Sequence, residues 1–289
     1  MNQEAIITLL KSLFVSSYLT LAALIAGYAG WILYQGGDIV PWGGVLLTVV
    51  PILGVIGRLM LLRDMPRTSA RFPIVGGLGV IGSGLAVVQG GDSIAPILAI
   101  VGLAGFLLYA YWYSSFKDRS SAGIKIGSPL PEISLLDVQG NSLNTQHLTD
   151  RPAILIFYRG NWCPLCMAQV KELAERYREI SAYGVRVALI SPQPHSNTVG
   201  LAKKFDVDFD FLTDSENRAA RILGINSDNG LPTGLQVLGY DSDTVMPTVI
   251  ITGRDGAVIW VHETDNYRIR PDPDVYLDVL RNNGIVPQT

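Results

Sequence analysis

The chain has 289 residues, 48% of them hydrophobic and only 16% charged, with 22 basic against 25 acidic side chains and a net charge of -3. So apolar a composition excludes an ordinary soluble domain throughout, and the slightly acidic balance argues against a nucleic-acid partner. Two cysteines in so long a chain exclude a disulfide framework.

The apolar excess lies in residues 1–116, in four stretches at about 12–34, 40–62, 73–89 and 94–116. None carries a charged face, and each approaches the ~20 residues that cross a ~30 Å hydrocarbon core, which predicts a four-span α-helical membrane bundle with lipid as its solvent. The first stretch is too long, and too closely followed by others, for a cleaved signal peptide. Arg58, Arg63, Arg67 and Arg71 crowd one connection against the single acid Asp64. Lys11 precedes the first span, and Lys117, Arg119 and Lys125 follow the last. By the positive-inside rule both termini are expected in the cytoplasm, with the bundle in a membrane read as a bacterial inner membrane. Gln35-Gly36-Gly37-Asp38 recurs as Gln89-Gly90-Gly91-Asp92, each between two spans, which suggests a tandem repeat of helical hairpins. Ala22, Ala26 and Gly30 form one stripe of small residues and Gly79 with Ser83 another, surfaces on which helices approach closely. With no Cys, His, Asp or Glu inside the spans, the bundle reads as an anchor or as the docking surface of a membrane-protein partner.

Residues 117–125 form a short charged and Ser/Gly linker, and 126–289 have normal soluble composition. Strands are expected at 133–137, 154–158, 185–190, 209–212, 248–252 and 257–262. Helices are expected at 163–183, 196–205, 215–223 and 273–283. Strands alternating with helices imply an α/β domain with a central sheet covered on both faces.

Cys163-Pro164-Leu165-Cys166 holds both cysteines, one helical turn apart, where the run Ile154–Tyr158 gives way to a helix. Free N–H groups at a helix start stabilise a thiolate, and Pro164 suits the first turn because it has no N–H to leave unpaired. The spacing therefore points to a redox-active dithiol, with Cys163 the low-pKa nucleophile and Cys166 resolving the mixed disulfide. Zinc would need a second ligand pair that His147, His195 and His262 do not form, so no metal or other cofactor is expected beyond the Cys163–Cys166 disulfide. Arg159 could lower a thiol pKa if it turns toward Cys163, and Trp162 reads as a shield of the thiol or as core. His195 reads as helix-start punctuation.

These motifs carry a resemblance. Gly127-Ser128-Pro129, Leu135-Leu136-Asp137-Val138-Gln139-Gly140, Phe157–Cys166, Leu189-Ile190-Ser191-Pro192, Leu212-Thr213-Asp214 and Pro247-Thr248-Val249-Ile250-Ile251 resemble the redoxins, the alkyl hydroperoxide reductase / thiol-specific antioxidant (AhpC/TSA) proteins. The resemblance covers nearly all of 126–289 and implies a thioredoxin-like, peroxiredoxin-like fold with thiol oxidoreductase or antioxidant activity. Peroxiredoxins place Thr or Ser three residues before the peroxide-attacking cysteine and an arginine just before the strand at Thr248. This chain has Gly160 and Met246-Pro247 there. Pro247 matches the cis-proline that faces the dithiol in thioredoxins, while the buried acid that thioredoxins keep six residues before the first cysteine is Phe157. The bundle with a thioredoxin-like domain is also similar to bacterial fusions of the vitamin K epoxide reductase type, except that this bundle has no cysteine pair.

The expected function is a membrane-anchored thiol–disulfide oxidoreductase acting on a protein or small-molecule thiol or disulfide. One alternative is a thiol peroxidase, with Cys163 reacting with peroxide and Cys166 resolving. Another is a redox sensor or assembly factor that binds a membrane partner through the bundle.

Overall fold

An apolar stripe at Val15, Tyr18, Ala22, Ile25 and Ala29 is buried along α1 (Gln3–Tyr34), spaced three and four residues apart as one helix face requires. The computed structural model describes residues 3–62, 71–88, 94–116, 119, 121 and 123–287. The chain divides into two compact units, Leu10–Ser115 and one made chiefly of Phe116–Thr289.

In the helical unit α1 is followed by α2 (Ile39–Leu62), α3 (Pro73–Val88) and α4 (Ile94–Leu107), which continues as a π-helical turn, Leu108–Tyr113. Among the described residues three helices, Ala5–Tyr34, Ile39–Leu62 and Ile94–Tyr113, are long and apolar enough to cross a membrane. Of the stretch expected to span at 73–89, the described residues form a helix over 16 residues, Pro73–Val88, about 24 Å long at 1.5 Å per residue. Helix α2 meets α3 backbone to backbone: a Cβ on Gly44 would stand 2.5 Å from the Gly82 carbonyl oxygen. Thr48 Oγ1 closes the contact by donating to Gly44 O at 3.0 Å and Gly79 O at 3.4 Å. Gly79 and Ser83 are buried there as expected. On α1, however, Gly30 is exposed and Ala29 takes its place in the stripe, because the spacing from Ala22 runs through Ile25. Arg63, Asp64, Arg67, the second Gln-Gly-Gly-Asp turn at 89–92 and Lys117 lie outside the described residues.

The other unit is built on a seven-stranded sheet. Its strands are β1 (Ser134–Leu136), β2 (Ser142–Asn144), β3 (Ala153–Phe157), β4 (Arg186–Ser191), β5 (Asp210–Thr213), β8 (Thr248–Thr252) and β9 (Val258–Glu263), in the order β2-β1-β5-β4-β3-β8-β9. Strands β3, β4 and β5 run parallel, β8 runs antiparallel to β3, and β9 antiparallel to β8, Phe157 facing Thr248 and Thr248 facing Glu263. The central strands β3, β4 and β8 are buried along their whole length, as continuous apolar runs between two helical layers must be. Leu155 and Phe157 of β3 join Ala188, Ile190, Ile250 and Leu223 in one core. The remaining elements are α5 (Thr145–Leu148), α6 (Pro164–Glu175), α7 (Tyr177–Ala182), α8 (His195–Ala202), α9 (Arg218–Leu223) and α10 (Pro273–Asn282). Strand order and sense are those of a thioredoxin-like fold.

Two expected elements differ. The helix expected at 163–183 is two helices, because Arg176 leaves helical geometry (φ -97°, ψ 6°) while its guanidinium pairs with Glu179 and Asp274. The one expected at 215–223 is a 3-10 turn, Ser215–Asn217, followed by α9. Glu216 and Asn217 adopt positive φ, and the buried Asp214 carboxylate accepts the Ala219 and Ala220 N–H groups at the helix start. A short ribbon of β6 (Asn226–Ser227) and β7 (Thr244–Val245) was not expected; it frames the segment 228–243.

Candidate active site

β3 ends at Phe157, and Tyr158 still donates its N–H to Ile190 O at 2.9 Å before the chain turns into α6. Gly160 makes the turn at φ +139°, and a Cβ there would lie 2.8 Å from the Trp162 ring, so a side chain is excluded twice over. Cys163 N–H donates back to Gly160 O at 3.1 Å, Cys163 is the residue before the first helical turn, and α6 begins at Pro164. Cys163 Sγ accepts none of the helix-start N–H groups. Its neighbour is Cys166 Sγ, 2.8 Å away and unbonded, the two cysteines being 2% and 0% exposed.

Two sulfurs so close share their protons unequally. Burial, the contact with Cys166 and that sulfur's charge push the Cys163 thiol well above its ordinary value, with Arg159 and Arg270 opposing. Burial also works against a thiolate at Cys166. There it is outweighed by the sulfur–sulfur hydrogen bond, the charges of Arg270 and Arg159 and the Arg159 backbone N–H, so the Cys166 thiol lies below the ordinary range. The depressed pKa expected at Cys163 thus falls on Cys166: both sulfurs feel the arginine charges, but only Cys166 is stabilised as a thiolate by the sulfur–sulfur hydrogen bond and the Arg159 N–H.

Arg159, expected to matter only if it turned inward, does so. It is 9% exposed, its guanidinium carbon lies 4.8 Å from the Trp162 ring centroid and 5.8 Å from that of Tyr267, and Nη2 donates to Gly230 O. Trp162 itself is half-buried between this cation and Tyr240, whose ring meets it edge-on at 6.5 Å. The Met246–Pro247 bond is trans, against the expected cis-proline. Pro247 is buried, and its carbonyl accepts from Arg119 Nη1 at 3.0 Å while Nη2 donates to Thr248 Oγ1 at 2.8 Å and pairs with Glu263 at 3.6 Å. Phe157, where a thioredoxin keeps an acid, packs in the apolar core.

Several residues here carried no assignment in the sequence reading. Gln193, 2% exposed, accepts Asn161 N–H on Oε1 at 2.8 Å and donates from Nε2 to Tyr158 Oη (3.1 Å) and Thr198 Oγ1 (3.2 Å). A backbone N–H can only donate, so this amide has one allowed orientation. Tyr240 donates to Asn161 Oδ1. Gln193 sits in a motif that marked only a loop, whereas Tyr240, Tyr267 and Arg270 had no signal at all, being 77, 104 and 107 positions from Cys163. His195 Nδ1 is 3.1 Å from Thr213 Oγ1 at the start of α8.

Residues 126–261 match the AhpC/TSA family. Among curated proteins the chain is similar to chloroplastic peroxiredoxin Q of Populus jackii, 27% identical over 115 residues (40% of this chain, 54% of that protein), and of Sedum lineare, 27% identical over 123 residues (40% and 66%). The chain thus spans between half and two thirds of the length of these relatives. Among solved structures, the peroxidoxin BcpB of Mycobacterium tuberculosis is 21% identical over 55% of this chain and 97% of its own, with a TM-score of 0.45. A peroxiredoxin-like protein of Aquifex aeolicus is 17% identical over 56% and 88%, with a TM-score of 0.46. The family match ends before Tyr267 and Arg270, which complete the wall around Arg159 and the sulfurs. Residues 126–261 are an AhpC/TSA-family domain.

Proposed function

We propose that the protein is a membrane-anchored thiol–disulfide oxidoreductase whose working group is the Cys163/Cys166 dithiol. The observation that carries this reading is the sulfur pair: two free thiols 2.8 Å apart at the start of α6 need little movement to bond. Cys163, the outer sulfur, yields its proton to the Cys166 thiolate and attacks the substrate disulfide, and the substrate thiolate it displaces takes that proton and leaves as a thiol. Cys166 then displaces Cys163's substrate partner, releasing the second thiol and leaving the Cys163–Cys166 disulfide. Two electrons have passed to the substrate, and an external dithiol returns them. Arg159 and Arg270 favour the thiolate, and Trp162, Pro164 and Pro247 shape its surroundings. The test is equilibration of the full chain in thiol/disulfide buffers: a reversible intramolecular disulfide with a defined potential is expected. Disulfide-reductase activity retained in full by Cys163→Ser would overturn the reading.

The second reading, a thiol peroxidase, is favoured by the AhpC/TSA match and the peroxiredoxin Q relatives. In it Cys163 attacks the peroxide, breaking the O–O bond to become a sulfenic acid and releasing water or an alcohol, and condensation with Cys166 loses a second water and leaves the same disulfide. Rapid mixing with hydrogen peroxide decides between them, a rate no faster than that of a free cysteine excluding the peroxidase. The bundle is read as a multi-pass anchor, which the three long apolar helices support; the basic residues between 58 and 71 support both termini being cytoplasmic, an orientation that requires α3 to cross as well. An alkylating reagent that cannot cross membranes, if it labels the cysteines in intact cells, overturns that orientation.

A further inference from the structure

Both sulfurs are sealed in this structure, yet any thiol reaction requires one of them to touch an outside molecule. The Gly160–Trp162 loop delivers Cys163 to α6, and it is held from two sides through Asn161. On the inner side the Asn161 N–H is fixed by Gln193, a buried amide tied in turn to Tyr158 and Thr198. On the outer side the Asn161 side chain accepts from Tyr240, whose ring also meets Trp162.

The two holds differ in what releasing them costs. Breaking the Gln193 side orphans several buried polar groups, whereas Tyr240 is only half-buried and belongs to the segment 228–243. The 3-10 turn of that segment, Leu235–Leu238, has no buried residue and is flanked by Gly234 and Gly239 at φ +104° and +85°, each with open space around it. Displacing Tyr240 together with this turn therefore disturbs little core, and leaves in place both the inner hold and the buried start of the segment, where Leu231 is in the core and Gly230 O accepts from Arg159. We infer that Tyr240 is the gate of the redox pair: its hydrogen bond to Asn161 and its contact with Trp162 keep the Cys163 loop closed, and release of the 234–240 stretch opens it. The inference builds on the reading of Cys163/Cys166 as the reactive dithiol.

The test is the alkylation rate of the reduced full chain in detergent, with iodoacetamide as a small reagent and a polymer-linked maleimide as a bulky one. Tyr240→Phe is expected to raise the rate with the bulky reagent about tenfold, the factor that corresponds to ~1.4 kcal/mol, and the rate with the small one less. Asn161→Leu removes the same hydrogen bond from the other partner and is expected to do the same, with the double variant no faster than either single one. Rates equal to those of the unsubstituted chain, or single effects that multiply in the double variant, would overturn the gate. Should Tyr240→Phe fail to fold, Asn161→Leu decides alone, a faster rate supporting the gate and an unchanged one refuting it. Failure of the dithiol reading shows separately, as the absence of a reversible Cys163–Cys166 disulfide in redox buffer.

Discussion

Gln193 Oε1 accepts the Asn161 N–H at 2.8 Å, and so ties the loop that delivers Cys163 to the end of β4. Replacing Gln193 by leucine leaves the Asn161 N–H without its acceptor and takes the amide N–H groups from the Tyr158 and Thr198 hydroxyls, of which Thr198 keeps Thr213 as a donor. The expected loss is about 2–4 kcal/mol, from more than one buried group orphaned at once. A drop in thermal midpoint checks it, and Gln193→Glu, which keeps the acceptor for Asn161, is expected to lose less of it.

At Gly160 both backbone and space forbid a side chain. Gly160→Ala is expected to cost about 1–3 kcal/mol and to displace the Trp162 ring. Trp162 fluorescence and the melting temperature should change together; a variant that matches the parent in both would show that the turn relaxes freely.

The reduced protein should lose one thiol proton below the ordinary range and keep the other well above it, since Cys166 is lowered and Cys163 raised. The signs follow from linkage. Cys166 contributes stability above the ordinary thiol pKa that is lost as pH falls through its lowered value, while Cys163 contributes stability that is lost as pH rises through its raised one. The reduced form is therefore most stable between the two. Arg270→Met is expected to move the lower titration upward, read as thiolate ultraviolet absorbance against pH, and an unmoved curve would remove Arg270 from the electrostatics of the pair.

His262 is held down to about 4 from 6.5 by burial and by the nearby charges of Arg270 and Arg119, with Asp265 opposing. The unfolded chain takes up this proton first, so stability falls as pH drops from 6.5 toward 4. His262→Phe is expected to flatten that part of the stability–pH curve relative to the parent. Parallel curves would show that His262 is not responsible.

The strands at 154–158, 185–190 and 248–252 were legible because buried central strands are continuous apolar runs, and they shift by no more than a residue in the structure. The start of α6 was legible for a related reason, since Cys163-Pro164 carries local backbone information. The break at Arg176 was not, because it coincides with a pairing to Asp274, 98 positions away.

The sequence by itself determined that two cysteines stand one turn apart at a helix start, that the domain around them is α/β, and that the apolar excess lies in the first 116 residues. These are local properties of spacing, periodicity and hydropathy. Only the tertiary structure decided that the lower pKa sits on Cys166, that Arg159 is clamped between Trp162 and Tyr267, and that Tyr240 and Gln193 hold Asn161 from opposite sides. The physical reason is that charge, burial and hydrogen bonding at the pair come from residues far apart in sequence, and pairings at that separation leave no mark on local pattern.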